Sequence, residues 1–313
     1  MADKEIRDVI MIGAGPSSLA AAIYTTREDI DTVVYEKGAV GGLAAVTDMV
    51  DNYPGFPDGI EGLTLAGYLE KQAERFGTQI EYGEVSEIRE EKGIKIVTVD
   101  GVEVKAKAVL IATGSDWNKI GVPGEAEYYG RGVHYCATCD GAFYRDKKLV
   151  VIGGGNSALQ EAIFLTRFTT HIDLLVRSTV KASEILQRDV KKYVEEGKIT
   201  IHLNTTTEEI VAVDGKVASV KAIKDGKPTS FKTDGVFVFV GLKPNTQFLA
   251  GSGIELDGQG LVKTNNKLET NISGIFCSGD VRSGATLQIA SAVGEGAAAA
   301  LSIREYLEEL KHS

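Results

Sequence analysis

The residues of this sequence best suited to chemistry are Cys136 and Cys139, in the segment CATCD. A C-x-x-C spacing lets two sulfurs approach to bonding distance at a helix start, where the helix dipole lowers the pKa of one thiol and favours the attacking thiolate. Asp140 follows directly, and a carboxyl group beside the pair can supply or remove the proton that thiol–disulfide exchange needs. The segment therefore predicts a redox-active cysteine pair with an adjacent acid.

Two other interpretations of the pair are a zinc half-site and inert core cysteines. Zinc needs two further ligands, and the remaining candidates have no matching spacing, so no metal is expected. These candidates are Cys277, His134, His171, His202 and His312. Cys277 lies within the apolar run GIFCSGD, which indicates a buried packing thiol.

One pattern occurs twice in the chain, first in DVIMIGAGPSS and again in KLVVIGGGNSA. Each copy passes from an apolar run through G-x-G and a helical pattern to a second apolar run, which indicates a β-α-β unit. The offset is constant, because Gly13 and Gly153, like Gly15 and Gly155, are 140 residues apart. The fold class predicted is α/β, with two doubly wound dinucleotide-binding (Rossmann-like) domains.

The glycines have separate tasks in such a unit. The first makes the strand-to-helix turn, and the second lets the backbone approach a pyrophosphate at the helix N-terminus. The third small position is Ser18 in the first copy and Ala158 in the second, and either still permits close packing of helix and strand. A glycine turn in another kind of α/β sheet is the alternative.

The residue that ends the second strand of each unit sharpens both assignments. Glu36, 23 residues after Gly13, is placed to bond a ribose 2′-hydroxyl, which suits the adenosine of FAD. In the second copy we expect Arg177 in that place, 24 residues after Gly153, with Lys181 one helical turn further. Cations there accommodate a 2′-phosphate, which suits NADPH, whereas a solvated basic turn is the alternative.

Bulk properties narrow the class of protein. The 313 residues are 43% hydrophobic, enough for two domains, and the net charge of −10 argues against nucleic acid or an anionic membrane as partner. The charged segment 1–5 leads straight into an apolar run, so neither a signal-peptide core nor a spanning segment is expected. Only 3 cysteines occur, too few for a secreted disulfide framework, and a cytoplasmic location is expected.

With both glycine motifs and CATCD in view, the chain resembles the low-molecular-weight thioredoxin reductases of bacterial or archaeal type, FAD-dependent pyridine nucleotide-disulfide oxidoreductases. The resemblance covers nearly the whole length. Its motifs are GAGP, Gly41-Gly42, NYPGF, Ala112-Thr113-Gly114, VPGE, CATCDG, GGGNSA and Gly279-Asp280 with Gln288. It implies a discontinuous FAD-binding domain, 1–116 and 246–313, into which an NAD(P)H-binding domain, 117–245, is inserted with the C-x-x-C.

The resemblance also implies roles for single residues. Cys139 would lie against the flavin, with Cys136 as its exchange partner and Asp140 as the acid–base group. Asn52 and Gln288 would lie near the isoalloxazine, and Asp280 would bond the ribityl or pyrophosphate region. The other residues expected to hold FAD are Gly13, Gly15, Pro16, Ser17, Glu36, Lys37, Gly41, Gly42, Leu43, Val85, Ala112, Thr113, Gly114, Gly279 and Ile289. Those expected to hold NADPH are Gly153, Gly155, Asn156, Ser157, Ala158, Arg177 and Lys181.

Three positions depart from the family pattern. The HRRxxxR motif is reduced to Val176-Arg177-Ser178 with Lys181, Leu43 stands where Gln is common, and Leu287 stands where Arg is usual. These departures bear on the electron donor. The implied function is transfer of electrons from NADPH through FAD and the cysteine pair to the disulfide of thioredoxin, by a homodimer. Alternatives are the same reductase fed by NADH or ferredoxin, and a redox-sensing flavoprotein that does not turn over.

Overall fold

The computed structural model describes residues 6–47 and 49–312, so the charged segment 1–5 lies outside the described residues. The chain forms two compact units, which divide between Asp116 and Trp117 and again between Leu242 and Lys243. The second division lies three residues before the expected boundary at 245/246. Asn245 stays with the first unit because its N–H donates to the Gly114 carbonyl at 3.1 Å and its side-chain amide donates to the Thr113 carbonyl at 3.0 Å.

Both units combine strands and helices. The strands are β1 (Arg7–Ile12), β2 (Thr32–Glu36), β3 (Met49–Val50), β4 (Ile60–Glu61), β5 (Gln79–Tyr82), β6 (Val85–Glu91), β7 (Ile94–Val99), β8 (Val102–Ile111), β9 (Ser115–Trp117), β10 (Val133–His134), β11 (Lys148–Ile152), β12 (His171–Leu175), β13 (Ile199–His202), β14 (Thr205–Val213), β15 (Lys216–Lys224), β16 (Lys227–Lys232), β17 (Gly235–Val238), β18 (Leu242–Pro244) and β19 (Ile275–Cys277). The helices are α1 (Pro16–Arg27), α2 (Gly62–Arg75), α3 (Ala137–Asp140), α4 (Asn156–Leu165), α5 (Glu184–Glu195) and α6 (Ile289–Lys311), with 3₁₀ turns at Gly42–Ala44, Gly141–Tyr144 and Gln247–Leu249.

The first unit contains a parallel sheet in the order β19-β8-β1-β2-β5. The central strand β1 is a continuous apolar run over 9–12 because both faces of the sheet are covered there. Val9 and Met11 pack on one face with residues of α1 and α6, whereas Ile10 and Ile12 pack on the other with β6 and β7. This arrangement brings the carboxyl ends of β1, β2, β8 and β19 to one edge of the sheet.

The second unit repeats this plan with the parallel order β10-β17-β11-β12-β13. Leu149 and Val151 of β11 pack on one face with α4 and α5, and Val150 and Ile152 pack on the other with the antiparallel strands β15 and β16. The two units differ in where their outer strands come along the chain. β10, which pairs with β17, is the first strand of its parallel sheet, whereas β19, which pairs with β8, is the last strand of its sheet. The α/β fold class with two dinucleotide-binding sheets is confirmed.

Across the described ranges, 6–47 and 49–312, we find no helix with both the length and the apolar character that crossing a membrane requires.

Candidate functional site

The first glycine loop connects β1 to α1 at the carboxyl edge of the first sheet. Gly13 donates its N–H to the Tyr35 carbonyl at 2.8 Å and has a φ of +92°, and an added Cβ would lie 2.7 Å from the Ala112 carbonyl oxygen. Gly15 is different, because nothing lies within 4 Å of its Cβ position. Helix α1 then begins at Pro16 with no side-chain cap among the described residues, which leaves its first N–H groups available to a ligand.

Glu36 is fixed beside this loop. Its Oε2 accepts a hydrogen bond from the Ala14 N–H at 2.7 Å, and its Oε1 accepts one from the Gly38 N–H at 2.7 Å. A carboxylate has about four acceptor sites, so the side chain retains capacity for a ribose hydroxyl. Neighbouring Lys37 is exposed, with Nζ 3.9 Å from the Glu84 carboxylate.

The glycine pair Gly41-Gly42 packs onto the same loop. Gly41 donates its N–H to the Ala14 carbonyl at 2.8 Å, and both glycines have positive φ, +101° and +54°. The Cβ position of Gly42 is 3.7 Å from the Gly15 Cα, so the two glycine turns are in contact. Leu43 follows in the 3₁₀ turn and is half-buried.

The turn after β19 completes this edge of the first unit. The hydroxyls of Ser17 and Ser278 share a hydrogen bond of 2.7 Å, which ties the turn to α1. Gly279 donates its N–H to Glu295 Oε2 on α6 at 2.9 Å. The Asp280 carbonyl accepts a hydrogen bond from the Ser115 hydroxyl at 2.6 Å. The backbone of Gly279-Asp280 is therefore held from two sides.

The side chain of Asp280 is buried, and its Oδ1 has no hydrogen-bond partner among the described residues. Burial, and after it the charge of Glu295, raises the pKa of Asp280 to about 6. Buried polar groups are nearly always hydrogen-bonded, so an acceptor without a partner needs an explanation. A hydroxyl-bearing ligand such as the ribityl chain of FAD would provide the missing donor.

Asn52 and Gln288 are 236 residues apart in sequence but adjacent in space, because the Asn52 Nδ2 donates to the Gln288 Oε1 at 3.0 Å. Gln288 is the N-cap residue of α6, and Ile289 packs on the small cluster of Val50, Ile60 and Leu65. The structure thus brings together two side chains that the resemblance assigns to the flavin ring.

The remaining residues predicted to hold FAD lie at the same edge or beneath it. Ala112 follows β8 and donates its N–H to the Ile12 carbonyl at 2.9 Å, and Thr113 and Gly114 continue that turn. The Thr113 hydroxyl donates to the Asn245 carbonyl at 2.8 Å. Val85 begins β6 and is buried in the core, so its side chain packs rather than facing solvent.

The second glycine loop repeats the first. Gly153 donates its N–H to the Leu175 carbonyl at 3.0 Å, has a φ of +145°, and would collide with the Phe239 carbonyl if it carried a Cβ. Nothing lies within 4 Å of the Cβ position of Gly155, and α4 begins at Asn156 with no side-chain cap in the described part of the chain. Beyond it Ser157 is exposed and Ala158 is buried against Gly153.

Equivalent hydrogen bonds from the two loops show which residues correspond at the end of the second strand in each unit. Gly13 bonds Tyr35 and Gly153 bonds Leu175, so Glu36 corresponds to Val176 and Lys37 corresponds to Arg177. The prediction that Arg177 takes the place of Glu36 is therefore wrong by one residue. β12 ends at Leu175, and the buried Val176 occupies the position instead, with its N–H bonded to the His202 carbonyl at 2.9 Å.

Arg177 and Lys181 are exposed beside the second loop. The Lys181 N–H donates to the Gly154 carbonyl at 2.7 Å, and the Ser183 N–H donates to Asn156 Oδ1 at 2.8 Å, so the segment 177–183 folds against the loop. No carboxylate in the described ranges forms an ion pair with either cation. Both cations are available to an anionic ligand.

The cysteine pair follows the carboxyl end of β10 in the second unit, and Cys136 and Cys139 are joined as a disulfide. Cys136 is the N-cap residue of α3, and its Sγ accepts a hydrogen bond from the Cys139 N–H at 3.2 Å, which confirms the predicted helix start. Cys277 is a free and fully buried thiol, as predicted, and burial raises its pKa. No cluster of three or more metal-ligating side chains occurs in ranges 6–47 and 49–312.

The sequence reasoning missed the surroundings of Asp140. Its Oδ2 lies 3.1 Å from His134 Nδ1, and His134 Nε2 lies 2.7 Å from the Tyr144 hydroxyl oxygen. Burial, followed by the charge of Asp140, raises the pKa of Tyr144, which stays protonated. His134 stands two residues before Cys136, and the sequence pattern indicates no role for it beyond that of a candidate metal ligand.

Comparison with known proteins gives the family of this chain. The family model for pyridine nucleotide-disulphide oxidoreductases matches residues 7–296. This chain belongs to that family. It is a flavoprotein disulfide reductase, with the Cys136–Cys139 disulfide in its second unit.

Similar members of the family match end to end. The thioredoxin reductase of Bacillus subtilis (strain 168) is 42% identical, with 100% of this chain and 98% of that protein covered. The thioredoxin reductase of Listeria innocua is 42% identical, with 99% and 97% covered. Among solved structures, thioredoxin reductase from Streptococcus pyogenes MGAS5005 has a TM-score of 0.92 and 37% identity, with 98% of this chain and 100% of that chain covered. The enzyme from Giardia duodenalis has a TM-score of 0.90 at 30% identity, with 97% and 100% covered.

The first unit of this family member fits the flavin nucleotide by three observations. Open space lies in front of Gly15, the Glu36 carboxylate stands beside it, and Asp280 Oδ1 lacks a hydrogen-bond donor within the described ranges. In the second unit, Gly155 opens onto similar space next to the exposed Arg177. The donor groups in both units suit a dinucleotide.

Proposed function

We propose that the protein reduces the disulfide of thioredoxin with electrons from NADPH, through FAD and the Cys136–Cys139 pair. The observation that carries the proposal is that the disulfide and the second open glycine loop lie at the same carboxyl edge of the second unit's sheet. The disulfide follows β10, and the loop follows β11. The thioredoxin reductases similar to this chain support the choice of substrate. We assign FAD to the first unit, 1–116 with 243–313, and the nicotinamide nucleotide to the second unit, 117–242.

FAD, when bound, relays two electrons between a nicotinamide and a disulfide. In the first unit, the Gly13–Gly15 loop and the α1 N-terminus would hold its pyrophosphate, Glu36 a ribose, and Asp280 the ribityl chain. Asn52 and Gln288, joined by their hydrogen bond of 3.0 Å, would border the ring. In the second unit, the Gly153–Gly155 loop and α4 would hold the nicotinamide nucleotide.

The cysteines carry the electrons out of the protein by exchange. Two electrons break the Cys136–Cys139 bond and leave one thiolate and, after uptake of a proton, one thiol. The thiolate attacks a sulfur of the substrate disulfide, forms a mixed disulfide and expels a substrate thiolate. The second cysteine, after losing its proton, attacks the mixed disulfide, re-forms Cys136–Cys139 and releases the substrate as a dithiol.

Asp140 is the proposed acid–base group of this exchange. Each broken sulfur–sulfur bond leaves a thiolate that needs a proton, and the second attacking thiol must lose one. Asp140 ends α3, directly after Cys139, and its side chain is 19% exposed, so it has contact with solvent for proton replacement.

NADPH is the proposed donor because Arg177 and Lys181 offer unpaired charge beside the second loop. A 2′-phosphate carries nearly two negative charges, and NADH offers only a hydroxyl there. We further propose that the protein acts in the cytoplasm, because its cysteine usage suits a reducing compartment. We also propose that it forms a homodimer, as the resemblance implies.

Anaerobic titration of the purified protein with NADPH, NADH and reduced ferredoxin tests the donor. Bleaching of the flavin absorbance by stoichiometric NADPH, followed by reduction of thioredoxin, is the expected result. Bleaching only by ferredoxin would transfer the donor role to an iron–sulfur protein and leave the rest of the assignment in place. Flavin reduction without reduction of any small protein disulfide would contradict the proposed substrate.

A further inference from the structure

The imidazole of His134 is clamped between two hydrogen-bond partners and two rings. Its side chain is 6% exposed and stacks on Phe237 with ring centroids 5.1 Å apart. The edge of Tyr144 meets it at 5.3 Å, and the Tyr144 ring itself packs against Gly235, where a Cβ would collide with it. The orientation of the His134 ring, and with it the direction of both nitrogens, is therefore fixed by packing.

The partners of His134 determine where its protons lie. Ionised Asp140 can only accept, so Nδ1 carries the hydrogen of the 3.1 Å contact. In the neutral ring Nε2 then accepts from the Tyr144 hydroxyl, and in the charged ring Nε2 donates to the same oxygen. Both hydrogen bonds persist in both charge states, so the ring can offer Asp140 a neutral donor or a full positive charge without moving.

Other ionisable groups near this cluster are tyrosines and acids. Tyr129 lies on the Asp140 side, where burial and the Asp140 charge raise its pKa, and Asp234 acts electrostatically on Tyr144. No lysine or arginine of the described ranges forms an ion pair with Asp140. Within the described ranges, His134 is consequently the basic side chain that contacts the acid beside the redox pair.

We propose that His134 is a positioning residue of the disulfide reduction: it orients the Asp140 carboxyl group and stabilises the carboxylate that remains after Asp140 gives its proton to a cysteine sulfur. Tyr144 holds the ring from its other side through the hydrogen bond to His134 Nε2. The inference rests on the proposed acid–base role of Asp140. It adds a histidine, His134, to the groups that take part in proton transfer beside the cysteine pair.

Three substitutions of one side chain separate the two hydrogen bonds. His134→Asn keeps an N–H near the position of Nδ1, facing Asp140. His134→Gln extends toward the Tyr144 side, and His134→Ala removes both contacts. The readouts are kcat for protein-disulfide reduction and the pH dependence of iodoacetamide alkylation of the dithiol form. In the alkylation profile, the ionisation that Asp140→Asn abolishes belongs to Asp140.

We expect His134→Ala and His134→Gln to lower kcat about tenfold and to move the Asp140 ionisation to higher pH by about one unit. A carboxylate that loses a donor binds its proton more tightly, and one hydrogen bond to a charged group is worth about one decade. His134→Asn should stay within about twofold of the wild type. Tyr144→Phe, which keeps the ring over Gly235, should fall between these limits.

The controls distinguish a structural role from a positioning role. His202→Ala removes another histidine of the same sheet, a half-buried one on the edge strand β13 whose Nε2 lies 2.7 Å from Asp173 Oδ1, and should leave the Asp140 ionisation unchanged. The double variant His134→Ala/Asp140→Asn should be no slower than Asp140→Asn alone, because His134 acts through Asp140. Losses that multiply would overturn the proposal.

The measurements distinguish a failure of the Asp140 assignment from a failure of the His134 proposal. Wild-type turnover of Asp140→Asn would refute the acid–base role, and the His134 inference with it. A slow Asp140→Asn together with an unchanged profile in His134→Ala would refute the inference alone. If His134→Ala does not fold, the comparison of His134→Asn with His134→Gln decides, and identical kcat and identical profiles in these two variants would refute it.

Discussion

The two glycine loops have the same main chain and different neighbours. Gly13 and Gly153 each bond the carbonyl of the adjacent strand, at 2.8 and 3.0 Å, and each leaves no room for a Cβ. The residue after that strand position is Glu36 in the first unit, fixed by two N–H donors, but Val176 in the second, followed by an exposed arginine. Glycine and strand register therefore give both loops the same backbone, and the difference between the units lies in the next two side chains, Glu36-Lys37 in the first and Val176-Arg177 in the second.

A second difference lies at the outer strand of each sheet. β19 pairs with β8 in the first unit as β10 pairs with β17 in the second, in both cases parallel. The turn after β19 bears Gly279-Asp280 with an acceptor that lacks a partner among the described residues, whereas the turn after β10 bears the disulfide. If Asp280 contacts FAD as proposed, the same position on one scaffold carries a ligand contact in one unit and the disulfide in the other.

The largest expected effect comes from removing the redox group of the second unit. Cys136→Ser or Cys139→Ser should reduce turnover of a protein disulfide to the uncatalysed background, because exchange needs both an attacking and a resolving thiol. Bound FAD, measured by absorbance, should be retained, since the first unit is unchanged. Cys277→Ser is the matched control, and loss of turnover in that folded variant would show that the wrong pair had been identified.

The next largest effect comes from filling each glycine loop in turn, which tests whether the two loops bind different nucleotides. Gly13→Ala places a Cβ 2.7 Å from the Ala112 carbonyl at a φ of +92°, and should weaken FAD binding more than about 100-fold, or about 3 kcal/mol. Gly153→Ala should spare FAD and prevent flavin reduction by a nicotinamide. Gly226→Ala, at a φ of +75° in open space, controls for backbone strain alone. Loss of FAD from Gly153→Ala would mean that the units are not independent.

An effect of similar size in free energy concerns the buried acid of the first unit. The pKa of Asp280 is raised to about 6 in the folded protein, so the folded state binds more protons than the unfolded state between about pH 4 and 6. Stability of flavin-free protein should therefore fall as pH rises through that window and stay lower above it, by about 3 kcal/mol relative to Asp280→Asn. Urea denaturation at several pH values measures this, and parallel curves for the two proteins would contradict it.

The smallest effect concerns the second loop's charge. Ser178→Arg restores a cation next to Arg177, and should raise kcat/KM for NADPH about tenfold while leaving NADH nearly unchanged, since one charge-assisted contact is worth about 1.5 kcal/mol or more. Arg177→Ala should act in the opposite direction. Both nucleotides must be compared at one ionic strength because salt screens the contact. Equal responses of the two nucleotides would mean that these side chains do not contact a 2′-phosphate.

Features set by glycine and by apolar runs could be predicted from the sequence, because few backbones satisfy them. The spacing of Gly13 and Gly153 predicted both loops, and C-x-x-C predicted the disulfide. The shift from Arg177 to Val176 was not readable, because a strand end is decided by tertiary pairing, here by the bond from Val176 to His202. The Asp140–His134–Tyr144 cluster was missed for a similar reason. Its members are six and ten residues apart with no period, and only the turn after β10 brings them together.

The burial of Cys277 keeps the third thiol of the polypeptide out of thiol–disulfide exchange. A thiol with no solvent exposure and a raised pKa neither meets an oxidant nor forms the thiolate that attacks a disulfide. Exchange is then confined to Cys136 and Cys139, because a third reactive thiol would form mixed disulfides with either of them and take the pair out of its cycle. Packing in the first unit thus protects the fidelity of the chemistry performed in the second.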